Sequence, residues 1–283
     1  MLGDGPDAPA SLRPMLRITR PNAAFQQWQA LLWNRNKRQR AGEFLVQGVR
    51  PITLAIEHGW TIRSIVFDAD RSLSPWARDV LDRAGGERVA MAPELLRELS
   101  GKEDDVPEVI AVVELPADDP ARIPVGDDFL GVVFDRPTGP GNIGTMVRSV
   151  DAFGGAGLIV TGHAADPYDP KAVRASTGSL FAVPVVRLAS HRDVLAWAEG
   201  QRVAGRPITI VGTDEHGDAD IDDLDLTGPT LLVIGNETAG LSAGWRDSCD
   251  VMARIPIGGA ASSLNAASAA TVTLYEAARQ RRR

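Results

Sequence analysis

Six uninterrupted apolar runs in the second half of the chain restrict its architecture most: FLGVVFD, GLIVTG, AVPVVRL, PITIVGT, TLLVIGN and VMARIPI. They are rich in β-branched residues, and helix-like stretches separate most of them. A strand that is apolar on both sides must be covered on both sides. With helices in between, the chain satisfies this as a parallel sheet with helices packed on each face. Ligands on such sheets sit beyond the carboxyl ends of the strands. The loops after Asp135, Thr213, Asn236 and Ile257 are therefore where chemistry is expected. Hydrophobic content is 44% but aromatic content only 5%, so the core must be built mainly from Val, Leu, Ile and Ala.

The first half alternates differently. Phe25, Trp28, Leu31 and Leu32 space out a helix over 21–33. Strands follow at 44–48, 64–68, 88–92 and 109–115, with helices near 52–58, 76–83 and 94–99. This reads as a small α/β unit over 16–115. Residues 116–128, PADDPARIPVGDD, hold three prolines and little apolar content, and read as an interdomain linker before a second domain over 129–283. Residues 1–15 are Gly/Pro/Asp-rich with no apolar stretch, and read as a disordered tail rather than a secretory signal. No run approaches the roughly 18 residues that span a bilayer. The single cysteine, Cys249, cannot form an intramolecular disulfide and fits a reducing cytoplasm. The four histidines stand far apart, so no metal site is expected.

Net charge is −7, yet its distribution matters more than its sum. Arg17, Arg20, Arg35, Lys37, Arg38, Arg40 and Arg50 are opposed in their stretch only by Glu43. They read as an RNA-contacting face, against the plainer alternative of a solvated basic surface. The arginines at 279 and 281–283 read as a frayed helix end.

Three segments carry the chemistry. In residues 129–155 a strand, a Gly/Pro-rich turn and a helix bring Asn142, Gly144 and Arg148 near a helix start. Asn142 and Arg148 share a face only if Asn142 acts at the cap, where an anion or sugar–phosphate can be held. The turn formally matches Gly-x-Gly-x-x-Gly at Gly139, Gly141 and Gly144. A dinucleotide site would need an acid near the end of the next strand, and Val160-Thr161-Gly162-His163 supplies none. In residues 231–242, LLVIGNETAGLS, glycines allow close approach to the backbone. Glu237 there could bind a sugar hydroxyl, orient an arginine or cap a short helix near Ser242. In residues 255–280 a strand runs into a Gly/Ala/Ser loop and a helix opening with Ser263-Leu264-Asn265. Its small residues suit close packing of a ligand or simply of another helix.

In that order and spacing the segments resemble the three motifs of the SpoU-type (TrmH-like) RNA ribose 2′-O-methyltransferases of the SPOUT superfamily. The matches are Asn142, Gly144 and Arg148; Gly235, Asn236, Glu237 and Gly240; and Ile255, Pro256, Ser263, Leu264 and Asn265. Lys171, Arg174, Ser176 and Gly178 also look like the family, and the N-terminal unit is similar to its ribosomal-protein-like RNA-binding domain. Gln47 stands where an acid is common, and the third motif is richer in Ala and Ser than usual.

The resemblance implies an α/β fold with a trefoil knot in the C-terminal parallel-sheet domain, which no periodicity could indicate and ordinary topology rules oppose. It implies a cytoplasmic enzyme, a homodimer formed through that domain, using S-adenosyl-L-methionine. The cofactor would lie against Thr213, Gly235, Asn236, Gly240, Ile255, Ile257 and Leu264. Catalysis would fall to Asn142, Arg148, Glu237, Ser263 and Asn265, with Arg174 joining the RNA contacts. The substrate would be 23S rRNA, as in actinobacterial enzymes that confer resistance to ribosome-targeting antibiotics; a housekeeping rRNA role, a tRNA ribose methyltransferase and a non-catalytic RNA-binding or assembly protein are the alternatives. Family accounts make the arginine matching Arg148 a general base. A neutral arginine near pH 7 costs on the order of 7 kcal/mol, so an anchoring and charge-stabilising role is the cheaper one.

Overall fold

The computed structural model describes residues 15–101 and 106–282. All but the last residue of the expected N-terminal tail, and Arg283, lie outside the described residues. The chain forms two compact units, divided between Pro116 and Ala117.

The first unit runs β1 (Met15–Ile18), α1 (Ala23–Trp33), α2 (Arg35–Ala41), β2 (Glu43–Gln47), α3 (Val49–Glu57), β3 (Ile62–Asp68), α4 (Pro75–Arg83), β4 (Glu87–Met91), α5 (Pro93–Ser100) and β5 (Val109–Glu114). Its sheet has the order β1-β4-β3-β5-β2. The first three strands are parallel, and β5 is antiparallel to both of its neighbours. Asn22 starts α1 by accepting the Phe25 N–H (2.9 Å), after which Phe25, Trp28, Leu31 and Leu32 are buried against Leu45, Val66, Val89 and Ile110.

Helix α2 was not visible in the apolar pattern because its sequence, RNKRQRA, has no apolar stripe. Local chemistry holds it instead. The Asn34 side chain accepts the Lys37 N–H (3.1 Å), and Gly42 ends the helix in the left-handed region at φ 66. One expected RNA contact is corrected here. Arg38 is only 2% exposed, and its Nη1 donates to the Leu31 carbonyl (2.6 Å), so it braces the α1–α2 corner from inside.

The second unit continues β6 (Leu130–Asp135), α6 (Pro140–Ala152), β7 (Gly157–Thr161), α7 (Pro170–Ser176), α8 (Ser179–Ala182), β8 (Val185–Leu188), α9 (His191–Val203), β9 (Thr209–Thr213), β10 (Ala219–Asp220), β11 (Thr230–Ile234), α10 (Ala243–Arg246), β12 (Val251–Arg254) and α11 (Ala266–Arg281). All pairings are parallel in a sheet ordered β10-β12-β9-β11-β6-β7-β8. Every residue of β6, β7 and β11 is buried, as continuous apolar runs require. The chain leaves β6 toward β8 on one side and returns to β9, β11 and β12 on the other. That reversal gathers the carboxyl ends of β6, β9, β11 and β12 at one place.

Two expectations for this unit fail. Residues 117–128 are part of it, not a free linker. Ile123 is buried, Asp118 Oδ2 accepts from Arg187 Nε (2.9 Å), and Arg122 Nη1 donates to the Val185 carbonyl (3.1 Å). Two apolar side chains, Ile123 and Val125, and partners some 65 residues away leave no trace in local composition. The arginine-rich end is likewise not frayed at Arg281. Its guanidinium donates to the carbonyls of Leu226 (2.8 Å), Asp128 (2.5 Å), Phe129 (3.2 Å) and Gly228 (2.6 Å), locking α11 to the sheet.

Candidate active site

The site begins with a carboxylate that closes an otherwise apolar strand. Asp135, at the end of β6, is only 3% exposed, so its charge must be met by donors. Thr161 Oγ1 (3.2 Å), Arg136 Nε (3.0 Å) and the Ser242 N–H (3.0 Å) provide them. Arg136 follows in the left-handed region at φ 52, a conformation costing a non-glycine residue about 1–2 kcal/mol. What holds it there is the second motif. Arg136 Nη2 donates to the Gly240 carbonyl (3.1 Å), and Asn236 Nδ2 donates to the Arg136 carbonyl (2.6 Å). Asn236 and Gly240 also exchange both backbone hydrogen bonds at 3.0 Å. Gly235 is obligatory beside them, because an added Cβ would lie 2.5 Å from the Gly240 carbonyl carbon.

Helix α6 starts at Pro140 with Gly139 as its cap, so Asn142 is its third residue and not the capping residue. Asn142 Nδ2 donates to Glu237 Oε1 (2.9 Å), and its Oδ1 accepts from Asn265 Nδ2 (3.2 Å). Asn265 is in turn the cap of α11, its Oδ1 accepting from the N–H groups of Ala267 (3.0 Å) and Ser268 (3.4 Å). Helix α11 thus begins after Ser263 and Leu264, which sit in the preceding loop. The chain Glu237–Asn142–Asn265 has one possible polarity. A carboxylate only accepts, so Asn142 must turn its amide N–H to Glu237 and its oxygen to Asn265. Asn142 is thereby joined to two side chains that lie 95 and 123 residues further along the chain.

Glu237 receives further bonds from the Thr138 N–H (3.3 Å) and Thr138 Oγ1 (3.2 Å). Desolvation pushes its carboxyl up, but the Asn142 amide and backbone N–H groups of Glu237, Thr138 and Gly139 outweigh it and hold it below the usual value. Glu237 therefore ties its loop to the turn that opens α6.

Beside this chain lies a cleft of about 470 Å³. Thr213, Gly235, Asn236, Gly240, Ile255, Ile257 and Leu264 all line it, together with Glu237 and Ser263. Apolar Ile234, Ala253 and Ala266 share its walls with polar Asp214, His216 and Ser262, and with Arg246, whose Nε lies 3.5 Å from Asp214 Oδ2. A lining that mixes apolar side chains with polar groups from these loops suits a flat heteroaromatic ligand with polar edges.

Arg148 is elsewhere. Six residues beyond Asn142 on α6, it points about 120° away around the helix axis, is exposed, and does not line the cleft. Arg174 is exposed on α7, and Arg17, Arg20, Arg35, Lys37, Arg40 and Arg50 are exposed on the first unit. The glycines of the apparent dinucleotide turn do other work. Gly144 lets α6 touch α7, since an added Cβ would lie 2.2 Å from the Ala172 carbonyl oxygen, and Gly141 has open space around its Cα. Asp135, Arg136 and Thr138 were missed in the sequence. The one signal for them was an acid at the end of a run otherwise without charge.

Residues 130–275 match the SpoU rRNA Methylase family, and residues 22–111 match the SpoU L30e-like domain. The chain belongs to the SpoU rRNA methylase family. A curated relative from Streptomyces viridochromogenes, a 23S rRNA (uridine(2479)-2′-O)-methyltransferase, is 65% identical over 94% of this chain and 92% of its own. The SpoU methyltransferase AviRb from the same organism, solved in complex with AdoMet, superposes with a TM-score of 0.89 at 65% identity, covering 92% of this chain and 98% of that one. An AdoMet-bound rRNA methyltransferase from Sinorhizobium meliloti superposes at 0.83 with 29% identity, covering 94% and 98%. In this SpoU methylase, Asn142, Glu237 and Asn265, one residue from each of the three segments, are joined by hydrogen bonds. Among the described residues, no helix is long and apolar enough to cross a membrane, and no group of His, Cys, Asp and Glu could hold a metal ion.

Proposed function

We propose that this SpoU methylase transfers a methyl group to a ribose 2′-hydroxyl of 23S rRNA, using S-adenosylmethionine. The observation that carries the reading is the Glu237–Asn142–Asn265 chain at the rim of the cleft. When bound, S-adenosylmethionine supplies an electrophilic methyl group on a sulfonium centre. The lining at Gly235, Ile255 and Leu264 fits its adenosine, with Asp214, His216 and Ser262 offering polar groups at its edges. The hydrogen-bonded chain keeps the Asn142 and Asn265 amides rigid, so that a ribose hydroxyl and its phosphate meet fixed dipoles instead of mobile ones. Ser263 adds a hydroxyl at the same rim.

Arg148 serves as anchor for the ribose-flanking phosphate and as stabiliser of the developing oxyanion. Its exposed place on α6 supports a homodimer in which it reaches the cleft of the second copy. Exposed Val272 and Tyr275 of α11 border the same surface, with Tyr275 edge-on to Phe153 (6.0 Å) and Thr271 bonded to Ser149 (2.7 Å). A methyl group at a ribosomal drug site would lower sensitivity to an antibiotic bound there, which is the role we assign by likeness to the resistance enzymes.

The test is tritium transfer from labelled S-adenosylmethionine to 23S rRNA. Arg148→Ala should abolish transfer while calorimetric cofactor affinity stays within a few fold. Mixed dimers of Arg148→Ala and Asn142→Ala protomers should regain activity if the arginine works across the dimer. Zero transfer by the unaltered protein would instead mark a non-catalytic RNA-binding protein.

A further inference from the structure

One aromatic side chain in the N-terminal unit is left largely open to solvent. Helix α1 buries Phe25, Trp28, Leu31 and Leu32, but its last residue, Trp33, is 77% exposed. The chain has six tryptophans, and the other five are buried or partly covered. One edge of the Trp33 indole lies beside Gly101, where an added methyl would come within 3.9 Å of it. The corner that carries it is built to hold still. Arg38 ties α2 to the Leu31 carbonyl from beneath, and Asn34 both ends α1 and caps α2. Exposed Arg35, Lys37 and Arg40 follow within seven residues.

A rigid indole face held open to solvent, flanked by cations on a short helix, matches the chemistry of an unstacked nucleobase with its phosphates. Aromatic faces stack any base, and neighbouring Lys and Arg take the backbone charge. We infer that Trp33 is a stacking platform for an unpaired nucleobase of the RNA, with Arg35, Lys37 and Arg40 holding the adjoining phosphates. The inference rests on the reading that this unit grips RNA, and adds to it a preference for single-stranded or looped RNA over duplex.

The test uses the full-length protein with a fluorescein-labelled oligouridylate, a blunt RNA duplex of equal length, and the 23S rRNA transcript. Trp33→Ala should weaken oligouridylate binding about tenfold or more, leave duplex binding within about twofold, and keep its salt dependence, since stacking releases no counterions. Trp33→Phe should retain most of the affinity. With 23S rRNA, Trp33→Ala should raise KM with kcat and cofactor affinity unchanged. The triple variant Arg35→Ala/Lys37→Ala/Arg40→Ala should bind more weakly with a shallower salt slope. If the triple variant weakens and Trp33→Ala does not, the stacking platform is refuted and the RNA-gripping unit stands. If neither weakens, both are refuted. A change of oligomeric state in Trp33→Ala with intact RNA affinity would overturn the inference in favour of a protein contact.

Discussion

Replacing Asn142 by alanine should slow methylation by one and a half to three orders of magnitude, about 30- to 700-fold, while sparing the cofactor. The side chain makes one bond to a carboxylate, at 2.9 Å to Glu237, and one neutral bond, at 3.2 Å from Asn265. A hydrogen bond to a charged group is worth about 1.5–3 kcal/mol and a neutral one about 0.5–1.5 kcal/mol. The site is half-buried, so the two together come to roughly 2–4 kcal/mol, or about a 30- to 700-fold loss in kcat/KM. Glu237 keeps its Thr138 donors and Asn265 keeps its capping bonds, so neither loop should unfold. Asn142 does not line the cleft, and S-adenosylmethionine affinity by calorimetry should change less than about threefold. Pairing Asn142→Ala with Glu237→Ala should give strong non-additivity, because the second change removes little that the first has left. Cofactor affinity falling in step with turnover, or fully additive effects, would refute the claim that these side chains act as one unit on the RNA.

Other expectations follow from packing and charge. Gly144→Ala places a methyl 2.2 Å from the Ala172 carbonyl oxygen, and should cost about 1–3 kcal/mol in thermal unfolding; an unchanged melting temperature would contradict the α6–α7 contact. Arg281→Ala leaves several carbonyls unmet and should cost about 2 kcal/mol, lowering Tm by roughly 4–8 °C, with no effect expected if that arginine were frayed. Burial, with Asp250 adding to it, pushes the Cys249 thiol up to about 12, so near pH 8 only on the order of one thiol in ten thousand is thiolate. Iodoacetamide should label the native protein very slowly and the unfolded protein fast, and equal rates would contradict the upward shift that half-burial gives this thiol. The Glu237 carboxyl sits below its usual 4.5, so its stabilising bonds are complete above that value and lost as pH falls through the lower folded-state value. The melting-temperature advantage of the unaltered protein over Glu237→Gln should hold from neutrality to about pH 4.5 and shrink only below it; shrinkage already between about pH 6 and 5 would contradict the downward shift.

Much of the architecture was legible because burial on two faces forces continuous apolar runs, as in β6, β7 and β11. Helix α2 was not legible, since what holds it is an Asn34 cap and a buried Arg38, neither of which makes an apolar period. Residues 117–128 read as a linker because their anchoring depends on Val185 and Arg187, which no local window contains. At the site, residue types were readable and their wiring was not. Asn142 looked like a cap for α6, yet Gly139 holds that place, and the capping asparagine proved to be Asn265 on α11. Thr138 and Arg136 escaped notice because each acts through a partner about a hundred residues away.

The most direct measurement maps 2′-O-methylation on 23S rRNA after incubation with the protein and S-adenosylmethionine, read by mass spectrometry of nuclease fragments. The expected result is a methyl group on one ribose, formed far more slowly with Asn142→Ala and not at all with Arg148→Ala. A methyl group on a base, or equal ribose methylation by both variants, would contradict it.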